Sequence, residues 1–494
     1  MGIKGNSISP YVITTLFFVI GLATIVCSIL SESWYMIIVS CISPFLLLLL
    51  LQIFKNPFIG LCFVFIFNYY FTPCYRYTQA QGLSVWYDVS TVSLFIILIA
   101  HIYLQDKSKW KYIKNIFTTG GVIWALYTIA EVLNPTAVTE AWIYSRGFVY
   151  STLLISIICV SIITSFKRLQ ILLFMLSILT LSAVAKAVYQ KNFGFDSIES
   201  QMLIDTEMYK THLLSDVTRY FSFFTDAGNF GSNMGFAAVL FGISAIFTPQ
   251  RPLRLYYIAI SAISVYALFI SGTRGALYVP IGGLLLFILI SKNTKLMVST
   301  IVVGSLLYVF FAFTYIGEGN IQIRRMRTAF KPTQDASFNV RKDNQKKLAQ
   351  YLKDKPFGVG LGLGGVEANK YVNPYTATTP LTATIPHDSY YVKLWMETGI
   401  VGLILYLTIY VGSLLRGCYL IMFRIKNKEL RGVLTGIACG IFGLMISAYG
   451  NAFFGQFPTG FMVILFLSTL VNGEYIDQLL TKQLKKQKTT VKIK

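Results

Sequence analysis

About fourteen stretches of this chain are apolar for long enough to cross the hydrocarbon core of a bilayer, and this restricts the fold to a bundle of membrane-spanning helices. They lie near 11–30, 34–51, 57–71, 89–104, 115–133, 148–165, 169–189, 229–247, 255–271, 276–292, 296–315, 391–414, 433–447 and 457–472. Only 13% of the residues are charged and the mean hydropathy is +0.62, far from soluble composition. The expected fold class is an all-α polytopic membrane protein of about 14 transmembrane helices. The shortest runs, 57–71 and 433–447, give that count a tolerance of about two.

The first run is flanked only by Lys4 and lacks a small-residue cleavage site, so it reads as an uncleaved helix. With the amino terminus in the cytoplasm, alternate short loops hold Lys55, the series Lys107 to Lys114, Lys167 with Arg168, Arg251 with Arg254, Lys292 with Lys295, and Arg416 to Arg431. A basic tail, 473–494, follows on the same side. This distribution obeys the positive-inside rule and puts both termini in the cytoplasm. It divides the chain into helices 1–214, core helices 215–316, a large external loop 317–390, helices 391–472 and the tail. The net charge of +21 is spread over juxtamembrane clusters, which excludes nucleic acid as a partner and favours membrane lipids. Cys27, Cys41, Cys62, Cys159 and Cys439 sit inside apolar runs, so neither a disulfide framework nor a zinc site is expected.

Cations on the outer side break the rule: Arg76, Arg146, Lys186, Lys191, Lys210, Arg219, Arg274 and a loop series that includes Arg325, Arg341 and Lys347. So many positive groups there call for an anion. Arg274 is the sharpest case, since it stands in the tight turn Gly272-Thr273-Arg274-Gly275 beside the hydrocarbon edge, where an unpaired charge is costly. Arg219 precedes Asp226 and Asn229, residues suited to cap a helix start whose N–H groups favour anions.

Within the loop, 339–355 has Val340, Leu348, Tyr351 and Leu352 at helical spacing in a cationic setting, which predicts a short amphipathic helix near the membrane. The glycine series from Gly358 to Gly365 lacks the strand and the Lys-Ser or Lys-Thr of nucleotide loops, and reads as a turn bringing backbone near a ligand. His387 is one of three histidines and the residue best suited to take a proton from an attacking alcohol, while Asp388 and Ser389 fit a helix N-cap. Asp205-Thr206-Glu207 has spacing that could hold a hard cation, but no metal is predicted.

In order along 215–415, these pieces resemble the O-antigen ligase and polymerase family of membrane glycosyltransferases. The matching positions are Arg219 with Asp226 and Asn229; Thr273-Arg274-Gly275; Arg341 followed by Lys355-Pro356-Phe357-Gly358-Val359-Gly360-Leu361-Gly362; and His387-Asp388 leading to Glu397-Thr398-Gly399-Ile400-Val401-Gly402. Ala227 stands where the family favours proline, Thr273 where serine is usual, and Asp388 where asparagine is usual. The acid beside His387 would raise its pKa and orient its ring, or mark a different acceptor.

The resemblance implies a GT-C-like fold in the bacterial inner membrane with its active site at the periplasmic face. It implies a donor glycan on undecaprenyl diphosphate and a glycan or lipid acceptor. No cofactor is implied, and a flippase and a chain-length regulator are the partner proteins. Arg219, Arg274 and Arg341 would stabilise the leaving diphosphate and His387 would act as base, with inversion in one step. Asp226, Asn229, Lys347, Asp388 and Tyr390 would line the substrate site. A repeat-unit polymerase is the favoured activity; ligation to lipid A core or to a protein hydroxyl are alternatives. A transporter of polyprenyl-linked sugar would predict inverted repeats and midplane charges, which the sequence lacks.

Overall fold

The computed structural model describes residues 50–105, 107–213, 217–330, 336–371, 381–385 and 389–493, and among these it is helical, with no strand. Pro57–Tyr69 (α1) bends by 54° into Phe71–Thr78 (α2). There follow Leu83–Gln105 (α3), Ile116–Ala130 (α4), Arg146–Ile162 (α5), Phe166–Phe193 (α6), Ala227–Phe247 (α7), Arg251–Ile270 (α8), Tyr278–Ile290 (α9) and Thr294–Phe313 (α10). After the large loop come Tyr390–Phe423 (α12), Lys428–Ser447 (α13), Thr459–Val471 (α14) and the basic Gly473–Ile493 (α15), with Ala336–Tyr351 (α11) inside the loop.

By length and composition nine described helices can cross a membrane, or eleven if each bent pair is one span, and the shorter Arg274–Ile290 adds a further apolar helix. Each apolar run from residue 57 onward falls on one of these helices. The runs near 11–30 and 34–51 lie outside the described residues, apart from their last two positions, so the described residues do not reach fourteen. Helix starts follow from short polar residues: Asn56, Asn115, Ser165, Asp226, Asn293 and Asn427 each accept an N–H from the first turn.

The core is built on α7 and α13, whose side chains are buried nearly all round. A stripe of glycines lets α13 approach its neighbours at backbone distance. A Cβ on Gly436 would stand 2.7 Å from the Leu240 carbonyl oxygen, on Gly440 2.6 Å from the Phe236 ring, and on Gly443 2.0 Å from the Val279 oxygen. With little hydrophobic drive between helices in lipid, such close contact is the main source of helix association. By contrast α10 buries only Phe311. Its freed carbonyls are taken by Arg327, whose Nη1 donates to Phe310 O at 2.9 Å and to Thr314 O, and whose Nη2 donates to Ile316 O at 2.5 Å.

Between α10 and α12 the chain folds into a cap with its own small core, where Leu348, Leu352, Val359, Leu363, Ala383 and Ile385 meet Ala141 and Met396. The amphipathic helix is present as α11, but Val340 is exposed, and its inward face is set by Leu348 with Gln345 and Arg341 one and two turns earlier. The first part of the glycine series packs against α12, while Gly362 and Gly364 further on line a cavity. Gly399 breaks α12 at φ 65°, and the 356–360 backbone fills the break: Val359 N donates to Met396 O at 2.9 Å, Gly360 N to Glu397 O at 3.1 Å, and Val401 N to Pro356 O at 3.2 Å. No side chain fits, since a Cβ on Gly358 would lie 2.5 Å from Gly399 N.

At the opposite end, Asp477 accepts from Lys426 N at 3.2 Å and Asn427 N at 2.9 Å, and Asn472 Nδ2 donates to Val160 O at 3.0 Å, so the start of α15 ties several helices together.

Replacing Gly443 with Leu therefore costs about 1–3 kcal/mol or more through overpacking. Gly304→Leu on α10, where a Cβ meets nothing within 4 Å, stays close to wild type. Thermal unfolding of the detergent-purified protein distinguishes the two.

Candidate functional site

Arg219 belongs to an irregular segment that leads into α7. An antiparallel bridge between Leu213 and Thr218 shapes its start. Arg76 holds its middle, donating to Ser222 O at 3.0 Å and Phe224 O at 2.5 Å, with its guanidinium 4.8 Å over the Phe221 ring. Ser222 has φ 53° and is fixed from both sides: Gln190 Oε1 accepts its N–H at 2.9 Å and Ala183 O accepts its hydroxyl at 2.6 Å. Arg76 is thus a structural cation, buried beside Glu199 at 3.8 Å.

Most of the other outer cations are also matched. Arg146 meets Asp88 at 2.6 Å, Lys186 meets Glu199 at 3.0 Å and Asp196 at 3.2 Å, and Lys210 meets Glu207 at 2.5 Å. The last pair occupies the acidic triplet Asp205-Thr206-Glu207. Another group of cations gathers at the turn after α8. Arg219 donates to Thr273 Oγ1 at 2.8 Å and Thr211 O at 3.1 Å, and Arg325 Nε donates to Gly272 O at 2.7 Å. Arg274 donates to Thr328 Oγ1 at 3.1 Å. Gly272, at φ 59°, keeps the turn slim; a Cβ there would lie 3.1 Å from Arg219 Cγ. Burial, first, and then the charges of Arg325, Arg274 and Arg341 lower the Arg219 pKa to about 10, with Asp226 offsetting them in part. The Arg219 Nε is buried without a hydrogen-bond partner. The charges of Arg325, Arg274 and Arg341 all reach Arg219, whose buried Nε is a donor to spare, and a group of this chemistry suits an anion of more than one charge.

The start of α7 is closed to that anion. Asp226 Oδ1 accepts from Gly228 N at 2.6 Å and Asn229 N at 2.9 Å, and His212 Nε2 accepts from Ala227 N at 3.2 Å. Asn229 is fully buried: it donates to Phe457 O at 2.9 Å and accepts from the Thr459 hydroxyl at 2.5 Å, so it joins α7 to α14. Lys347 is exposed on the outer side of α11.

Arg341 lines a narrow crevice with Gln345, Leu348, Ile385, Ser389 and Val392. His387 and Asp388 lie outside the described residues, but Ile385 and Ser389 on either side of them border Arg341. One residue on, Tyr390 is buried and opens on a different space, a cavity of about 480 Å³ among α1, α3, α4, α5, α12 and α14.

Two contributors were hidden in the sequence. Arg325 was one of many loop cations, and only its bond to Gly272 O separates it from them. Asn451 lies past the motifs, in the turn after α13, wedged where a Cβ on Gly228 would stand 2.8 Å from its Oδ1 and one on Gly275 2.5 Å from its Nδ2. Ser447 nearby donates to Gly275 O at 2.8 Å. The signal for Asn451 was the glycine spacing 432, 436, 440, 443, which brings the end of α13 against the Arg274 turn; Arg325 had none.

Residues 259–407, from within α8 to within α12, match the family model described as O-antigen ligase. The match takes in Arg274, Arg325 and Arg341, and it supports an O-antigen ligase/polymerase-like family for this multi-pass membrane chain. No curated protein matches the chain.

Burial and the Arg219 charge push His212 down to about 4 from its ordinary 6.5. Between those values the unfolded chain binds a proton that the folded chain refuses, so stability falls as pH drops through this window, by up to about 3 kcal/mol. The difference in unfolding free energy between wild type and His212→Gln, followed from pH 7 to 4, should narrow as pH falls; a constant difference excludes the neutral buried imidazole.

Proposed function

We propose that this O-antigen ligase/polymerase-like chain transfers a glycan from a polyprenyl diphosphate to an acceptor hydroxyl at the outer face of the bacterial inner membrane. The observation behind the proposal is the convergence of Arg219, Arg274, Arg325 and Arg341 at one end of the bundle, with the buried unpartnered Nε of Arg219. A lipid diphosphate at the membrane rim is the multiply charged anion that such a group fits.

In this reading the guanidiniums bind the diphosphate and take up the charge that grows on its bridging oxygen as the glycosidic bond breaks. The acceptor oxygen bonds to the anomeric carbon from the opposite side, with inversion, and its proton passes to the His387 imidazole. Polyprenyl diphosphate leaves with the bonding electron pair. Arg219, buried and lowered to about 10, is still protonated at neutral pH. Of the acceptors open to the family, a second lipid-linked repeat unit is adopted, which makes the chain a polymerase. The tyrosine-lined cavity beside α12 supports a sugar acceptor over a protein hydroxyl.

His387→Ala, Arg274→Ala and Arg325→Ala each lower the release of polyprenyl diphosphate from lipid-linked donor in proteoliposomes on the order of 100-fold or more. Arg274→Lys restores only part of this, because a point charge does not replace a bidentate donor. Wild-type release in the His387 and Arg274 variants at normal protein level would remove the assignment. The product made with repeat unit, lipid A core or peptide as acceptor identifies which transfer it is.

A further inference from the structure

The cavity of about 480 Å³ beyond Tyr390 has no part in holding the diphosphate, yet it is built as a binding site. Its volume is typical of small-ligand pockets, roughly 300–1,000 Å³. Flat rings form much of its wall: Tyr87, Trp124, Tyr390, Tyr406 and Tyr410, the last two stacked with centroids 4.0 Å apart. Polar groups are set among them. Asn68, on the membrane helix α1, is only 2% exposed; its Nδ2 donates to Tyr87 Oη at 3.0 Å, and its Oδ1 has no partner. A buried acceptor of this kind costs free energy until a donor reaches it, and a polar residue inside a membrane span marks function.

The charges in the wall weigh against other ligands. Asp88 pairs with Arg146 at 2.6 Å and Glu397 with Lys393 at 3.9 Å, which leaves Lys370 at the mouth as a single net positive charge, little for a second diphosphate. An acyl chain would bury Asn68 and Asp88 against hydrocarbon, at a cost of several kcal/mol. Rings for the C–H faces of a pyranose and fixed polar groups for its hydroxyls match a saccharide. Position points the same way: adjacent residues at the start of α12 border the two spaces, Ser389 the arginine crevice and Tyr390 the cavity.

We infer that this cavity is a saccharide-binding subsite that seats the terminal sugars of the acceptor glycan. The assignment rests on the transferase reading above, and it gives the acceptor a place separated from the donor diphosphate by one step of backbone. Asn68 Oδ1 accepts a sugar hydroxyl at the floor. At the mouth, Tyr144 and Tyr371, whose rings lie 5.4 and 5.0 Å from Lys370 Nζ, border the entering chain.

Gly147 provides the test. It lines the cavity, and a Cβ there meets only Ser151 Oγ at 3.9 Å, so Gly147→Phe projects a ring into the space without touching backbone. Tyr144→Ala, at a side chain 71% exposed, removes a mouth contact without disturbing the core. The full-length protein in detergent is titrated by saturation-transfer NMR with the lipid-free repeat-unit oligosaccharide, cleaved by mild acid from the lipid-linked pool of the host cell. It is titrated separately with undecaprenyl diphosphate. Gly147→Phe and Tyr144→Ala should each weaken oligosaccharide binding about tenfold or more, equivalent to about 1.4 kcal/mol, and leave undecaprenyl diphosphate binding unchanged. Arg274→Ala should do the reverse, and Gly304→Phe on lipid-facing α10 should change neither. Oligosaccharide binding like wild type in both cavity variants overturns the subsite while the transferase reading stands. If Gly147→Phe does not fold, Tyr144→Ala alone decides. A wild-type protein that binds neither ligand overturns both.

Discussion

A helix broken inside a bilayer frees backbone groups that water cannot reach, and the break in α12 at Gly399 meets this by taking in another stretch of chain. Val359 and Gly360 donate to the carbonyls of Met396 and Glu397, while Pro356 O accepts the N–H of Val401. A polar cap is thereby stitched to a membrane helix through main-chain bonds, and such bonds are expensive to leave unmade away from water. Everything else at this end depends on that seam: it fixes the small core of the cap, sets α11 with Arg341 inward, and forms one wall of the large cavity.

The second organising fact is electrostatic. Outer-face cations divide into two sets according to their partners. Arg76, Arg146, Lys186 and Lys210 lie next to carboxylates and serve the fold, with Arg76 holding the strained Ser222 in place. Arg219, Arg274, Arg325 and Arg341 crowd one another around a turn that glycine keeps thin. Keeping like charges together costs folding free energy, which Asp226 offsets in part at Arg219.

The helices were legible because apolar runs of membrane length have few alternatives, and each run from residue 57 onward became a helix. The arginines at 219, 274 and 341 stood out because positive charge on the side that topology places outside has no default reason to be there, and the structure brings Arg219 to the turn that carries Arg274. Less of the surroundings could be seen. The N-cap role of Asp226 was readable from its place before α7, whereas the neutralisation of that helix start by His212, fifteen residues upstream, was not, because nothing local marks a histidine as an acceptor for a distant N–H. The glycine series beside Pro356 read as a turn near a ligand, and the packing of its first residues into the break at Gly399 had no local signal. Asn229 was chosen for its helix start, yet its side chain serves the join to α14. The tyrosines of the cavity come from helices far apart in sequence, and no spacing rule gathers them.

The glycines of α13 have a mechanical consequence. Three helices that touch backbone to backbone, α7, α9 and α13, have no compliant side-chain layer between them, so they move as one solid piece. The turns that leave this piece at Gly272 and Asn451 are short, and they inherit its stiffness. Guanidiniums anchored there keep a fixed spacing while the lipid around them flows, which makes the densest part of the membrane domain the gauge against which a diphosphate would be measured.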